Sequence, residues 1–144
     1  MTTGNIIKAP ALSIWQPWAW LIAAGYKDID NRNWRTNYQG PIYIHASKTK
    51  AGTVTISELI DYYRLSIDPA EIRLQYGGLI GRARLAGCVR RSESKWFEGP
   101  FGFVITDAEL IDFIPCRGKP GIFEPDFSGL RLLTLSPMKE VSNG

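Results

Sequence analysis

The first apolar segments of the chain differ in length and in the residues that bound them. Residues 11–14 form an apolar run of strand length. Pro17 then stands where proline is tolerated, in the first turn of a helix, and the apolar segment 18–24 runs to Gly25, a residue type that commonly follows a helix. The pattern predicts a strand followed by a short helix, which we expect to be mostly buried because it is apolar nearly all round.

The following segments carry a clear strand signal. Residues 26–34 mix polar and apolar positions as an extended segment does, and residues 36–41 have the composition of a turn. Residues 42–47 then alternate strictly. One predicted face carries Ile42, Ile44 and Ala46, and the other carries Tyr43, His45 and Ser47. The alternation therefore predicts a strand with one apolar and one polar face.

The rest of the chain is predicted to contain one helical region and several strands. Residues 53–76 have apolar positions near the 3.6-residue period, which predicts helix with a break at residues 68–69. Further strands are predicted at residues 78–89, 102–106, 111–115 and 130–135. Because strands and helices do not alternate regularly, the pattern favours an α+β domain over a parallel doubly wound sheet. We expect a curved sheet that closes into a small barrel, flanked by two or three helices.

Composition places the chain among ordinary globular proteins. It has 144 residues, of which 44% are hydrophobic and 22% charged, which fits one domain with its own core. No apolar run approaches the roughly 20 residues that span a bilayer, and the N-terminus lacks the pattern of a signal peptide. Cys88 and Cys116 are too few for a disulfide framework. We therefore expect a single cytoplasmic domain over residues 1–144, with buried free thiols and no membrane partner.

The positive charge of the chain is unevenly distributed. The net charge is +3, and the stretch 79–97 has a single acidic residue, Glu93. Its basic residues are Arg82, Arg84, Arg90, Arg91 and Lys95. Such a stretch can neutralise phosphates, or it can form a solvated strand edge on which positive charges discourage aggregation. The sequence leaves both interpretations open.

Several classes of chemistry have no support in the sequence. With one histidine and no Cys-x-x-C pair there is no zinc-ligand pattern, so no metal site is predicted. Neither the phosphate-binding loop nor the dinucleotide fingerprint occurs, and no cofactor is predicted. The nucleophile elbow of α/β-hydrolases is also missing.

Three groups of residues can support binding or catalysis. The first comprises Ser13, Gln16 and Trp18 at the predicted helix start, where backbone N–H groups can bind an anion or a carbonyl oxygen. Alternatively the tryptophans fill the core and Gln16 caps the helix. The second comprises Lys27, Asp30 and Arg32, and it runs into Trp34. A lysine beside a carboxylate can act as general acid or base when burial lowers its pKa, although a solvated ion-pair ladder has the same pattern.

The third group is the polar face of residues 43–47, which ends in a basic residue. His45 can titrate near neutrality and serve as acid, base or hydrogen-bond partner, with Ser47 and Lys48 beside it. A structural role for this histidine is the alternative.

Taken in order, these segments resemble the ASCH family of the PUA-like superfamily. LSIWQPWAW is similar to the family's Ser-Ile-x-Gln-Pro-Trp-Ala start, GYKDIDNR to its Gly-x-Lys-x-x-Glu-x-Arg segment, and GPIYIHAS to its Gly-Pro-Ile/Leu-x-Ile-His-Ala-Ser strand. GPFGFVITDAELIDFIPCRGKPGIF is similar to the later strands. The similarity covers residues 11–124 and is interrupted mainly between residues 50 and 76.

The resemblance implies a small β-barrel flanked by helices, with a cleft that binds RNA or a modified nucleoside. The Gln-Pro-Trp and Gly-x-Lys segments border this cleft in the family. A single site is therefore implied, made of Ser13, Gln16, Trp18, Lys27, Asp30 and Arg32. Trp15 and Trp20 then become candidates for packing. Trp34 or Trp96 can offer a face on which a base stacks, a contact worth about 1–3 kcal/mol.

One branch of the family hydrolyses N4-acetylcytidine with a lysine, a threonine three residues later and a downstream glutamate. Lys27 matches the lysine, but Asp30 replaces the threonine and cannot supply its alkoxide, so that mechanism does not carry over intact. Glu93 and Glu98 are candidates for the downstream carboxylate.

Three functions remain open from the sequence. RNA or modified-nucleoside binding is the leading one. The second is hydrolysis of acylated cytidine or metal-independent RNA cleavage, with Lys27, Asp30 and His45 as catalytic residues. The third is a non-catalytic protein-interaction module.

Overall fold

The computed structural model describes residues 8–50 and 52–127. These residues form six strands, two α-helices and one 3₁₀ helix. In chain order the elements are β1 (Ala11–Gln16), α1 (Trp18–Ala23), β2 (Ile29–Arg32), β3 (Gly40–Lys50), α2 (Ile56–Tyr63), a 3₁₀ helix (Pro69–Glu71), β4 (Gly78–Val89), β5 (Phe101–Pro115) and β6 (Ile122–Phe123). The strand predicted at residues 130–135 lies outside the described residues.

All six strands belong to one curled sheet in the order β2-β5-β4-β3-β1-β6. The pairing is antiparallel except between β1 and β3, which run parallel. The ladder between β4 and β5 shifts register at three places, and such bulges increase the local twist of a sheet. The structure confirms the predicted α+β class with a small curved barrel and two helices.

Strand β5 corrects the prediction of two separate strands at residues 102–106 and 111–115. It is one strand of 15 residues, although Asp107 and Glu109 interrupt the apolar pattern in its middle. Both residues are exposed, so the ladder with β4 carries the strand through a segment that buries little. Asp107 adopts a φ of 54°, which marks a local irregularity within this strand.

Helix α1 packs across the main core, as its apolar sequence predicts. Residues 19–23 are all buried in it. A close approach to β4 is possible because Gly81 has no side chain: a Cβ there would lie 2.6 Å from the Cβ of Ala23. The cluster beneath the helix includes Leu12, Ile44, Leu85 and Phe103.

The opposite side of β3 is also covered, which corrects the prediction of a polar face. Tyr43 and His45 are 5% and 2% exposed. A second apolar cluster explains their burial, because residues of β1, β4, β5 and β6 pack against this face. Its members include Ala11, Leu79, Ile114 and Phe123.

The region 53–76 contains much less helix than its periodicity predicts. Helix α2 begins with a capping box between Thr55 and Glu58 and ends at Tyr63, and the next residue, Arg64, caps it with a left-handed φ of 54°. The later apolar residues, among them Ile67 and Leu74, pack against the same cluster as Trp20 without a helix. Burial alone therefore accounts for the apolar positions that follow α2.

No helix among the described residues has the length and apolarity needed to cross a membrane. Cys88 and Cys116 are free thiols, as predicted, but only Cys116 is buried, whereas Cys88 is partly exposed.

Candidate functional site

A cavity of about 380 Å³ opens where the start of α1, strand β2, the end of α2 and the loop before β5 meet. We call it the first cavity. Its lining residues are Ser13, Ile14, Trp15, Trp18, Lys27, Asp30, Asn31, Arg32, Tyr63, Trp96 and Glu98. The lining combines aromatic rings with charges of both signs, so the first cavity offers flat surfaces together with hydrogen-bond donors and acceptors.

Lys27 is the innermost cation of the first cavity. Its side chain donates a short hydrogen bond to the carbonyl oxygen of Ile29, and its residue is only 6% exposed. The ammonium lies 5.5 Å from the ring centre of Trp18 and 5.4 Å from that of Trp96. Burial lowers the pKa of Lys27, although the carboxylates of Asp30, Glu98 and Asp28 favour its charged form. A lysine in this setting can bind as a cation or lose its proton at lower pH than usual.

The turn after α1 explains how Lys27 reaches the same cavity as Asp30. The two residues are three apart, and a regular strand would direct them to opposite faces. Strand β2 begins only at Ile29, however, and the backbone N–H of Lys27 still bonds to the carbonyl of Leu21, 3.0 Å away. Lys27 therefore belongs to the turn, and its side chain enters the cavity from outside the strand.

Asp30 and Arg32 lie two residues apart on one face of β2 and form an ion pair. Arg32 Nε lies 2.5 Å from Asp30 Oδ2, and a second guanidinium nitrogen donates to the carbonyl oxygen of Ser13 at 2.8 Å. Burial raises the pKa of Asp30, while the charges of Arg32 and Lys27 oppose that rise. The Asp30 side of this ion pair is buried and Arg32 is partly buried, which differs from a solvated ladder.

The aromatic wall is built from residues distant in sequence. The rings of Tyr63 and Trp96 lie 4.0 Å apart between centroids with an interplanar angle of 31°. The side chain of Asn31 fixes the loop that carries Trp96: it donates to the Trp96 carbonyl at 2.9 Å and accepts from the backbone N–H groups of Glu98 and Gly99.

Sequence reasoning missed Asn31 and Tyr63. Asn31 lies inside the Gly-x-Lys segment, but only its contacts across more than 60 residues reveal its role. Tyr63 belongs to the region where the family pattern is interrupted, so no motif marked it.

Gln16 lines neither cavity described in this section. Its side chain accepts a hydrogen bond from the backbone N–H of Trp20 at 2.8 Å and donates to the carbonyl of Gln75 at 2.9 Å. The Gln16 side chain therefore supports the first turn of α1, although the N-cap residue itself is Pro17.

A larger cavity of about 840 Å³ adjoins the first. We call it the second cavity. Ser13, Trp15 and Arg32 line both cavities. The other lining residues are Trp34, His45, Ser47, Lys48, Gly77 and the segment 115–121.

The predicted site residues are thus divided between two neighbouring cavities. The first contains Trp18, Lys27, Asp30 and Trp96, and Ser13 and Arg32 form the shared boundary. The second contains Trp34, His45, Ser47 and Lys48. Trp20 is buried as expected, whereas Trp15, which we expected to pack inside, is 53% exposed on the boundary.

His45 is buried in the wall of the second cavity and does not join Lys27. Its Nε2 lies 2.7 Å from the carbonyl oxygen of Cys116, and its Nδ1 lies 3.0 Å from Ser13 Oγ. Because a carbonyl only accepts, Nε2 carries the proton and Nδ1 accepts from the Ser13 hydroxyl. Burial lowers the pKa of His45, so the ring is neutral near pH 7. The geometry therefore gives His45 hydrogen bonds to two other segments of the chain and places it in a different cavity from Lys27.

Among residues 8–50 and 52–127, no group of three or more His, Cys, Asp or Glu side chains is placed to hold a metal ion.

Comparison with known proteins identifies the family. The model of the ASCH domain matches residues 12–112, about seven tenths of the chain. The chain belongs to the ASCH domain family. ASCH domains bind RNA in general. The match includes every residue that lines the first cavity, whereas residues 115–121 of the second cavity lie beyond it.

Two curated proteins are also similar to this chain in sequence. Activating signal cointegrator 1 from Homo sapiens is 31% identical over 127 residues, and the Mus musculus protein of that name is 29% identical over 127 residues. Each alignment covers 80% of this chain and 22% of the relative. The ASCH chain described here thus spans about a fifth of the length of the curated relatives it matches.

Proposed function

We propose that this ASCH domain binds RNA or a modified nucleoside and that one base enters the first cavity. The observation that carries the proposal is the placement of the Lys27 ammonium 5.5 Å from the ring centre of Trp18 and 5.4 Å from that of Trp96, in the same cavity as the Asp30 carboxylate. A volume of about 380 Å³ lies near the lower end of the roughly 300–1,000 Å³ typical of small-molecule pockets. That volume suits one nucleoside.

The polar groups of the cavity complement the edge of a base. Lys27 donates to a carbonyl oxygen of the base, and Asp30 accepts from an exocyclic amino group. Arg32 favours the charged, accepting form of the Asp30 carboxylate, against the effect of burial. The aromatic side chains provide faces against which a flat ring can pack, as is usual for single-stranded nucleic acids. A base with an amino group and a carbonyl group on the same edge, such as cytosine, fits this arrangement.

Fluorescence titration tests the proposal, because Trp15, Trp18 and Trp96 line the cavity and report on its occupancy. The ligands are cytidine, N4-acetylcytidine and short single-stranded RNA at low salt. We expect the tryptophan fluorescence to be quenched to saturation by the RNA at least. Lys27→Ala should weaken binding by about 10- to 100-fold, since a hydrogen bond to a charged group contributes about 1.5–3 kcal/mol.

Lys8→Ala is the matched control, because Lys8 is exposed and lines neither cavity. Circular dichroism of each variant checks that the fold is intact. Equal affinities of the Lys27→Ala and Lys8→Ala variants, or the absence of saturable binding by the unmodified protein, would refute the proposal.

Amide hydrolysis of an acylated cytidine is the second candidate function, and the lowered pKa of Lys27 favours it. A neutral lysine amine can act as a general base toward water, and Asp30 and Glu98 lie in the same cavity. Mass spectrometry after incubation with N4-acetylcytidine, and separately with RNA, detects deacetylation or strand cleavage. Products that form with Lys8→Ala but not with Lys27→Ala establish the activity, while equal product formation by both variants excludes Lys27 as the base.

A further inference from the structure

The second cavity differs from the first in its charge. The first cavity contains two acidic residues, Asp30 and Glu98, beside its cations. Of the described residues that line the second cavity, none is acidic. Its cations are Arg32, Lys48, Arg117 and Lys119. A lining of this kind attracts polyanions and offers no carboxylate to a base amino group.

The segment that carries Arg117 and Lys119 is held in place by its neighbours. Gly118 lies directly against the imidazole of His45: a Cβ at residue 118 would be 2.5 Å from His45 Cε1. The Cys116 carbonyl accepts from His45, and the Cys116 N–H donates to the Gly77 carbonyl at 3.2 Å. Arg117 and Lys119 are both exposed and flank the anchored glycine. Their backbone positions are therefore fixed while their side chains are free to meet a ligand.

Lys48 supplies positive charge from a different segment. Its aliphatic stem packs against Gly77, where an added Cβ would lie 3.0 Å from Lys48 Cγ and Cε. Lys48 is exposed and follows the buried part of β3. Cations from β3 and from the segment 115–121 thus line one cavity.

Trp15 stands on the boundary between the two cavities. Its side chain is 53% exposed, although it borders both cavities, and it lies beside Ser13 and Arg32, which are also shared. An exposed indole next to a base-sized cavity offers a face on which a neighbouring base can stack.

We propose that the second cavity binds the phosphate backbone of the nucleotides next to the base held in the first cavity, with Trp15 stacking an adjacent base. This inference rests on the proposed function, because it takes the first cavity as the base site. The ligand is then a single-stranded RNA segment of several nucleotides rather than a free nucleoside. A base that enters the first cavity must be unstacked, which single strands permit and continuous duplexes resist.

Titrations with two ligands, cytidine and a single-stranded RNA hexanucleotide, test the inference. The test variant is Arg117→Ala/Lys119→Ala, and Lys8→Ala/Arg73→Ala is the matched control. Each double variant removes one arginine and one lysine, and both control residues are exposed and line neither cavity.

We expect the test variant to bind the hexanucleotide roughly tenfold more weakly at about 50 mM salt. The slope of log K against log salt should become shallower by about 1.4, which is about 0.7 for each lost phosphate contact. Cytidine affinity should not change.

Trp15→Ala adds an independent measurement. Loss of one stacking contact should weaken hexanucleotide binding about 5- to 100-fold, and it should affect cytidine less.

The outcomes separate this inference from the proposed function. If the test and control variants bind the hexanucleotide with equal affinity and slope while Lys27→Ala still weakens cytidine binding, the phosphate site is wrong and the base site stands. If Lys27→Ala has no effect on either ligand, the proposed function fails, and the inference fails with it. A hexamer duplex that binds as tightly as the single strand also overturns the inference.

Discussion

The imidazole of His45 connects three parts of the chain. It accepts a hydrogen bond from Ser13 in β1, donates to the Cys116 carbonyl after β5, and lies under Gly118. Its tautomer follows from these partners, because only a protonated Nε2 can bond to the carbonyl. Neutral His45 is therefore a positioning residue for the segment that borders the second cavity.

The lowered pKa of His45 leads to a pH dependence of folding stability. Its folded pKa lies below the ordinary 6.5, so the unfolded chain binds more protons at acidic pH. The stabilisation is fully present above that value and is lost as the pH falls. We expect the urea midpoint to decrease between about pH 7.5 and pH 5.5, and this component to vanish in His45→Gln.

His45 is the only histidine of the chain, so the difference between the two urea profiles isolates it. Parallel profiles for the unmodified protein and His45→Gln would show that the buried ring does not couple its protonation to folding.

The close contact between Gly118 and the His45 imidazole leaves no room for a side chain at residue 118. Gly118→Ala introduces a methyl group 2.5 Å from His45 Cε1, so either the ring or the segment must move. We expect a loss of about 1–3 kcal/mol in the free energy of unfolding, which is typical of overpacking. Gly87→Ala is the control, because a Cβ at residue 87 meets nothing within 4 Å. Similar urea midpoints for the two variants would contradict the tight packing.

At the scale of elements, helix α2 brings Tyr63 to the wall of the first cavity. The helix has eight residues, and such short helices depend on capping and tertiary packing. Its capping box joins Thr55 and Glu58: the Thr55 hydroxyl accepts from the Glu58 N–H at 3.1 Å, and the Glu58 carboxylate accepts from the Thr55 N–H at 3.1 Å.

Loss of the capping box should destabilise helix α2 at the wall of the first cavity. Thr55→Ala is expected to destabilise α2 by about 0.5–2 kcal/mol, the usual range for loss of an N-cap. Hydrogen exchange at the Leu59 amide, which bonds to the Thr55 carbonyl, measures the effect. Ser57→Ala in the same helix removes a hydroxyl outside the capping box and should change the exchange rate little. Equal acceleration in both variants would mean that the cap does not hold the helix.

The elements also show what sequence patterns predict well. The strand at residues 11–14 and the helix at 18–24 follow from runs whose ends are marked by proline and glycine. The helix at 53–76 was overestimated because apolar residues recur there for burial against Trp20, and recurrence alone cannot distinguish a helix from a chain that covers the same patch. The division of β5 failed because pairing with β4, a long-range property, sustains the strand through polar positions.

Sequence patterns also predict only part of the candidate site, because some of its features depend on long-range contacts. Motif order pointed to Lys27, Asp30 and Arg32, which the structure places in one cavity. It could not reveal that His45 and Lys48 border a separate cavity, because that division depends on where the segment 115–121 folds back. Asn31 and Tyr63 were missed because their roles arise from contacts between distant parts of the chain.

At the scale of the whole molecule, the curled sheet brings residues of β1, β2, α2 and the loop before β5 around Lys27. This environment determines the pH range over which Lys27 is charged. Burial lowers its pKa from the ordinary 10.5, despite three nearby carboxylates. Burial raises the pKa of Tyr63, which favours the uncharged form of that ring.

A pH dependence of ligand affinity follows from the proposed role of Lys27 as a charged donor. As the pH rises from neutrality, the ammonium should lose its proton before 10.5, and affinity for a cytidine oligonucleotide should fall with it. Lys27→Met should bind weakly with a flat profile, and Lys8→Ala should retain the profile of the unmodified protein. Fluorescence titration at several pH values measures all three, and a persistent decline in Lys27→Met would assign the effect to another group.

Arg32 belongs to both cavities, and this has a thermodynamic consequence. Its guanidinium pairs with Asp30 in the first cavity, bonds to the Ser13 carbonyl at the boundary, and lies 5.9 Å from the ring centre of Trp34 in the second. A ligand that draws this group toward one cavity changes its availability to the other. For ligands in both cavities we expect binding to be coupled through this one side chain, and such coupling is reciprocal: the factor by which the first ligand changes the affinity for the second equals the factor in the reverse order.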